Sequence, residues 1–219
     1  MYVMGIITDI QRQVKNKNRV SLFVDHEFLC GLDALTVAKF RLVVGEEIDE
    51  KEILEITFDS EVNVAFDISL RYITSRMRSK KEIKNYLLDR DFREEVIRAV
   101  IEKLEDYGYV DDFKFCLEYV NSYYKKQSRY AIKQGLRQIC SNPKAIDEAI
   151  ESITDEMAAE SACRVASRYM AKNRGSKTKM LYKLHGALYQ RGYGVEEIAS
   201  AIEYIKDKYQ DVLENTDEE

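Results

Sequence analysis

The sequence contains no tryptophan, one proline, nine glycines and two histidines among 219 residues. So little proline and glycine excludes collagen-like and low-complexity chains and favours a helix-rich globular protein. No apolar run approaches the roughly 18 residues of a membrane-spanning helix, and residues 1–9 lack the basic region of a signal peptide. We therefore expect a cytoplasmic protein without a membrane segment.

Motifs for common catalytic and metal sites are also missing. The four cysteines contain no C-x-x-C pair, so we expect reduced, buried thiols rather than a zinc site or a disulfide framework. Phosphate-binding glycine motifs, H-E-x-x-H and G-x-S-x-G do not occur. The paired acids Asp111 and Asp112 favour the capping of a following helix over a metal or catalytic role. We expect no enzymatic activity, no metal and no cofactor.

Positive charge is concentrated in three stretches, although the net charge is −5. A negative protein is an unfavourable partner for nucleic acid, because phosphate binding depends on lysine and arginine. However, no acid occurs between Glu118 and Asp147 or between Glu160 and Glu196, and residues 71–84 form a third basic stretch with one acid. The distribution therefore indicates a polarised surface that the net charge conceals.

The N-terminal region has strand-like patterning. Residues 3–14 and 20–24 alternate between apolar and polar side chains and are joined by a polar turn, which predicts a β-hairpin. A short helical stretch is predicted at residues 33–40. Asp49 and Glu52 have the spacing of a capping box, so a helix should begin there.

From about residue 61 onward the apolar residues recur at helical spacing, and the pattern repeats. Five apolar positions superpose at a shift of 49 residues and again at a further shift of 52. They are Ile83, Leu87, Ile97, Ile101 and Leu104, then Ile132, Leu136, Ile146, Ile150 and Ile153, then Leu184, Leu188, Ile198, Ile202 and Ile205.

Each copy includes one further preceding helix. We therefore predict a mostly α fold, with three tandem three-helix repeats in an elongated arc, preceded by a small N-terminal β-hairpin unit. The predicted domains are residues 1–58 for the hairpin and short helices, 59–108, 109–153 and 154–208 for the three repeats, and 209–219 for a disordered acidic tail.

The basic stretch falls at the same place in every repeat, from the end of the first helix to the start of the second. If the repeats stack, the three basic patches lie in a row and can form a binding surface. The alternative interpretation is that these lysines and arginines only keep ordinary helix surfaces solvated. The candidate residues for partner or DNA binding are Arg76, Arg78, Lys80, Lys81, Lys84, Lys125, Lys126, Arg129, Lys133, Arg137, Arg168, Lys172, Arg174, Lys177, Lys179 and Lys183. Four tyrosines lie beside these cations in the sequence: Tyr123, Tyr124, Tyr130 and Tyr182. Their rings either stack on nucleic-acid bases, pack in the protein core or remain exposed on the surface.

Residues 78–92 contain the pattern S-x-x-E-I-x-x-x-L, and residues 104–112 contain L-x-x-x-G-Y-V-D-D before an aromatic-rich helix. In this order, and with three repeats, these motifs resemble the RecX regulatory-protein family over residues 61–206. The N-terminal hairpin, with Val24–Phe28, is similar to the leading extension of many Gram-positive members. The middle repeat departs from the family pattern at residues 127–128, 135–136 and 139–141.

The resemblance implies a non-enzymatic modulator. Such a protein would bind RecA, occupy the groove of the RecA–single-stranded DNA filament, and inhibit recombinase and co-protease activities. It would bind DNA directly only weakly and would be a monomer. The alternative hypothesis is a stand-alone nucleic-acid-binding module of helix-turn-helix-like repeats. The negative net charge and the lack of a recognition helix rich in arginine and asparagine count against this alternative.

Overall fold

The computed structural model describes residues 4–14, 18–173 and 176–208, which belong to two compact units. The first unit comprises the residues up to 78 together with 82–110. The second comprises residues 79–81 together with those from 111 onward. Residues 15–17 of the predicted hairpin turn at 15–18 and the predicted acidic tail at 209–219 lie outside the described residues. No helix in the described ranges is both long enough and apolar enough to cross a membrane.

The N-terminal strands form an antiparallel sheet in the order β3-β2-β1-β4. The strands are β1 (Met4–Arg12), β2 (Arg19–Val24), β3 (Glu27–Asp33) and β4 (Glu47–Asp49). The predicted hairpin is confirmed as β1 and β2, whereas the sequence pattern did not indicate β3 and β4. Asp25 and His26 have left-handed φ values of 50° and 67°, the geometry of a two-residue hairpin turn between β2 and β3.

Ten helices occur within the described ranges, and nine of them form the three predicted groups of three. The helices are α1 (Ala34–Lys39), α2 (Glu50–Ile73), α3 (Lys80–Leu88), α4 (Glu94–Asp106), α5 (Asp112–Tyr123), α6 (Arg129–Ile139), α7 (Pro143–Glu151), α8 (Asp155–Lys172), α9 (Lys177–Gln190) and α10 (Val195–Lys208). The predicted mostly α repeat fold is thus confirmed.

Helix α2 begins at the predicted capping box. The amide of Glu52 donates to Asp49 Oδ1 at 2.8 Å, and the amide of Asp49 donates to Glu52 Oε2 at 3.0 Å. Ile56 of this helix packs in the core of the sheet, whereas Ala65 packs with α3 and α4. The boundary predicted between residues 58 and 59 falls inside α2, because this helix supplies side chains to both cores.

The same positions are buried in all three repeats. At four of the five superposed positions the side chain is at most 4% exposed, and at the fifth it is partly buried in every repeat. These buried positions are Ile83, Leu87, Ile97 and Leu104 in the first repeat; Ile132, Leu136, Ile146 and Ile153 in the second; and Leu184, Leu188, Ile198 and Ile205 in the third. The helical register inferred from the shifts is therefore confirmed.

The turn between the second and third helices of each repeat adopts one of two conformations. Asp91 in the first repeat and Gly192 in the third are equivalent and have left-handed φ values of 62° and 79°. In the middle repeat, Asn142 Oδ1 accepts the amide of Ala145 at 3.2 Å, and Pro143 occupies the first turn of α7. The middle repeat thus begins its third helix with a side-chain cap.

The four cysteines are free thiols, but only two are buried as expected. Cys116 and Cys140 lie in the core of α5, α6 and α7. A hydrogen bond to Cys140, together with burial, raises the pKa of Cys116. Cys30 and Cys163 are half-buried, and desolvation raises the pKa of each thiol.

Candidate functional site

Three cations of the first basic stretch form ion pairs within the first unit. Arg76 and Arg78 both form ion pairs with Glu82, the latter at 3.6 Å, and Lys84 pairs with Glu94 at 3.0 Å. The guanidinium of Arg78 also stacks on the ring of Tyr72 at 4.1 Å. These side chains already hold fixed contacts, so they contribute less free positive charge than the sequence suggested.

Lys80 and Lys81 belong to the second unit and contact its backbone and side chains. The backbone amide of Lys80 donates to Asp112 Oδ1 at 3.0 Å, and Lys81 Nζ donates to the carbonyl of Arg137 at 3.2 Å. Both lysines are partly buried. Their contacts make them positioning residues at the start of α3 as well as carriers of charge.

Two cations of the second basic stretch are also neutralised. Arg129 Nη2 donates to the carbonyl of Ile153 at 2.6 Å and to Asp155 Oδ1 at 2.8 Å. Lys133 Nζ lies 2.7 Å from Asp147 Oδ1. Arg129 therefore links the start of α6 to the junction of α7 and α8, and its contacts support the fold.

Three other candidate binding residues of this stretch are exposed. Lys125 and Lys126 follow α5, and Arg137 lies in the last turn of α6. Within the described ranges, none of the three forms an ion pair with a carboxylate. The Nζ atom of Lys125 lies 5.4 Å from the ring centroid of Tyr124, which leaves the ammonium group accessible to an anionic partner.

The third basic stretch carries the largest set of exposed cations. Arg168 and Lys172 lie four residues apart on α8, and Lys179 and Lys183 lie four residues apart on α9, so each pair shares one helix face. None of these four is ion-paired in the part of the chain that the structure describes. Arg174 and the side chain of Lys177 lie outside the described residues.

A groove of about 460 Å³ in the second unit adjoins Lys126. Tyr130, Gln134 and Arg191 also line it, and no carboxylate belongs to its described lining. Tyr130 is 61% exposed, yet its ring packs closely against Gly192, where an added Cβ would lie 2.6 Å from the tyrosine. A fixed, exposed aromatic ring beside cations is suited to stacking on a planar group.

Three buried serines of the second unit, and the contact that Asp112 makes, were missed from the sequence. Ser128 Oγ donates to the carbonyl of Arg191 at 2.6 Å, and Ser161 Oγ donates to the carbonyl of Gln127 at 3.2 Å. The equivalent residues 49 positions earlier are Ser79, which donates to the carbonyl of Ile139, and Asp112, which accepts the amide of Lys80. The alignment of these positions at the repeat shift is the signal that could have found them.

Replacement of Ser128 by alanine should lower the free energy of unfolding by about 1–3 kcal/mol. The hydroxyl caps α6 by accepting the amide of Ala131 at 3.1 Å, and its loss also removes the donor to a carbonyl at the end of α9. Ser176→Ala is the matched control, because Ser176 precedes α9 without a side-chain cap. Urea denaturation should show a small effect for Ser176→Ala; equal losses would contradict the role of Ser128.

Asp111 caps the following helix, as its sequence position predicts, whereas Asp112 bonds the start of α3 instead. Asp111 Oδ1 accepts the amides of Phe113 and Lys114, and these backbone hydrogen bonds, the one from Lys114 first, lower the pKa of the Asp111 carboxyl. The stabilisation from this cap is present above the unfolded pKa and is lost as the pH falls through the lowered folded pKa. Asp112 is buried and bonds the start of α3.

Comparison with family models matches two regions of the chain. Residues 5–49 match the model of the regulatory protein RecX N-terminal domain, and residues 65–104 match the model of the first three-helix domain of RecX. The first region contains the sheet, and the second contains most of the first repeat.

Similar proteins cover nearly the whole chain. The regulatory protein RecX of Bacillus subtilis (strain 168) is 30% identical over 206 residues, which are 93% of this chain and 78% of that protein. The regulatory protein RecX of Listeria welshimeri is 31% identical over 203 residues, covering 89% of this chain and 73% of that protein.

Solved structures show the same fold. A crystal structure of regulatory protein RecX superposes with a TM-score of 0.72 at 25% identity, over 90% of this chain and 98% of the other. The structure of RecX from Lactobacillus salivarius superposes with a TM-score of 0.61 at 21% identity, over 67% of this chain and 97% of the other.

Proposed function

Because the chain belongs to the RecX family of regulatory proteins, we propose that it binds RecA and the RecA–single-stranded DNA filament. Binding inhibits the recombinase and co-protease activities of the filament. The observation that carries this proposal is the set of exposed cations in the second unit that have no ion-paired carboxylate within the described ranges. They are Lys125, Lys126, Arg137, Arg168, Lys172, Lys179 and Lys183.

Charge complementarity explains how a protein of net charge −5 contacts a DNA-containing filament. The exposed cations contact single-stranded DNA or acidic surface of the filament, while the acidic faces contact basic parts of the RecA protomers. Direct binding to bare DNA is weak, since the net charge repels phosphate when no protein covers it. The protein acts in the cytoplasm as a monomer, by binding rather than by catalysis.

The second candidate is a stand-alone nucleic-acid-binding module, and the groove at α6 favours it. Helix α6 is the second helix of its repeat, the position of the recognition helix in helix-turn-helix proteins. Its exposed face carries Tyr130 and Gln134, which have the chemistry to stack on and hydrogen-bond to bases. This module would require no RecA.

The test is to add the purified protein to a RecA–single-stranded DNA filament and to follow ATP hydrolysis by RecA. We expect hydrolysis to fall as the concentration of the protein rises, because an inhibitor of the filament reduces the number of active protomers. Unchanged hydrolysis at concentrations that saturate the filament would contradict the proposal.

A further inference from the structure

The first unit contains a cavity of about 580 Å³ that the proposed function does not use. Its lining comes from β2, β3, α1, α2, α4 and the turn that follows α4, and includes Arg19, Arg71, Lys103, Tyr107 and Tyr109. The volume is within the range of roughly 300–1,000 Å³ typical of small-molecule sites. None of these five residues is among the sixteen candidate partner-binding residues.

One wall of the cavity is aromatic. The ring centroids of Phe66 and Tyr107 are 5.8 Å apart, and those of Tyr107 and Tyr109 are 5.9 Å apart. Lys103 Nζ lies 4.6 Å from the centroid of Phe66, so a cation already occupies one face of that ring. Tyr107 and Tyr109 remain 61% and 54% exposed, which leaves aromatic surface available to a planar ligand.

The other walls supply positive charge from three separate elements. Arg19, Arg71 and Lys103 form no ion pair with a carboxylate among the described residues. Their described hydrogen bonds go to neutral acceptors: the carbonyl of Gly31 at 3.0 Å, the carbonyl of Asp67 at 3.2 Å and the amide oxygen of Asn63 at 3.3 Å.

The cavity retains unused hydrogen-bonding capacity. The Nε atom of Arg19 is buried and has no hydrogen-bond partner in the described part of the chain. A guanidinium has five N–H donors and an ammonium has three, so the described bonds leave donors available on all three cations. An anionic group in the cavity would accept hydrogen bonds from the donors that remain accessible; the buried Nε atom of Arg19 is not one of them.

Two acids also line the cavity, but one of them is already engaged. Asp33 Oδ1 accepts the amides of Leu35 at 2.9 Å and Thr36 at 3.1 Å, and its other oxygen accepts the hydroxyl of Thr36. Asp67 is exposed. The three cations therefore outnumber the two carboxylates, and the cavity favours an anion.

We propose that this cavity binds a nucleotide, either free or within a single strand. The base stacks on Tyr109, with the ring of Tyr107 tilted beside it by 48°, and the phosphate accepts hydrogen bonds from Arg71, Lys103 and Arg19. Exposed aromatic rings beside cations that form no ion pair among the described residues match a ligand that has a flat face at one end and a negative charge at the other. This site is independent of filament inhibition.

Isothermal titration calorimetry of the full chain tests the site with three probes: ATP, an oligothymidylate and inorganic triphosphate. Binding of ATP identifies a free nucleotide, whereas binding of the oligothymidylate alone identifies a nucleotide within a strand. Inorganic triphosphate should bind at least about fivefold more weakly than the favoured probe, because it has no base to stack.

Tyr109→Ala and Arg71→Gln should each weaken binding of the favoured probe by about fivefold or more. Both side chains are exposed, and circular dichroism should confirm an unchanged fold. Tyr189→Ala and Arg98→Gln are the matched controls, because these exposed residues do not line the cavity, and they should bind like the parent protein. The proposal is overturned if neither nucleotide probe binds, if triphosphate binds as tightly as the favoured probe, or if the control substitutions weaken binding equally.

Discussion

Reversal of Lys179 and Lys183 to glutamate should raise the concentration needed for half-inhibition of the RecA filament by about tenfold or more. Both side chains are exposed on α9, lie four residues apart and form no ion pair in the described ranges, so their charge is available to an anionic partner. ATP hydrolysis by RecA on single-stranded DNA is the measurement. Circular dichroism should show unchanged helicity, because neither side chain is buried.

The matched control reverses Lys51 and Arg98, which are exposed, lie outside the three basic stretches and change the net charge by the same amount. This variant should inhibit nearly as well as the parent protein. The difference between the two variants should shrink as salt rises, because screening and counterion release weaken phosphate contacts. An equal loss in both variants would attribute inhibition to net charge and would contradict a localised binding surface.

Leu87→Ala, Leu136→Ala and Leu188→Ala should each lower the free energy of unfolding by about 2–5 kcal/mol. The three leucines are equivalent in the repeats and are at most 1% exposed, so each truncation removes buried apolar surface and leaves a cavity. Urea denaturation monitored by circular dichroism is the measurement, since the chain has no tryptophan.

Leu54→Ala is the control for these truncations. Leu54 also lies on a helix, but it is 63% exposed, so its truncation removes little buried surface. We expect a change within about 0.5 kcal/mol. A loss at Leu54 comparable to those at the three buried leucines would contradict the assigned helical register.

The repeated helices could be predicted because burial imposes a periodic pattern that sequence comparison within the chain detects. Leu87, Leu136 and Leu188 align at the repeat shifts, and all three are buried. The start of α2 was also predictable, since Asp49 and Glu52 satisfy each other's amides locally. In each case the contacts that fix the structure either join residues close in sequence or recur at the same position of every repeat.

Strand β3 was harder to predict, because its identity depends on pairing with β2 across a turn that lacks the usual glycine. Asp25 and His26 adopt the left-handed conformation there, although such turns more often contain Asn-Gly or Asp-Gly. The exposed residue Phe28 also interrupts the expected alternation, at an irregularity in the pairing with β2.

The candidate surface could be predicted only in part, because the fold brings acids to basic stretches from distant positions. Arg129 lies in a stretch without acids, yet Asp155 approaches it from the start of α8, and Glu197 lies 3.8 Å away on α10. Lys133 is paired in the same way. No local pattern distinguishes these residues from Lys179 or Lys183, which have no such partner within the described ranges.

The most direct test compares the affinity of the protein for bare single-stranded DNA with its affinity for the same strand coated by RecA, at one salt concentration. We predict markedly tighter binding to the coated strand, since the acidic faces require basic protein surface and the net charge of −5 disfavours bare phosphate. Equal affinity for the bare and the coated strand would contradict the account and would identify a stand-alone nucleic-acid-binding module.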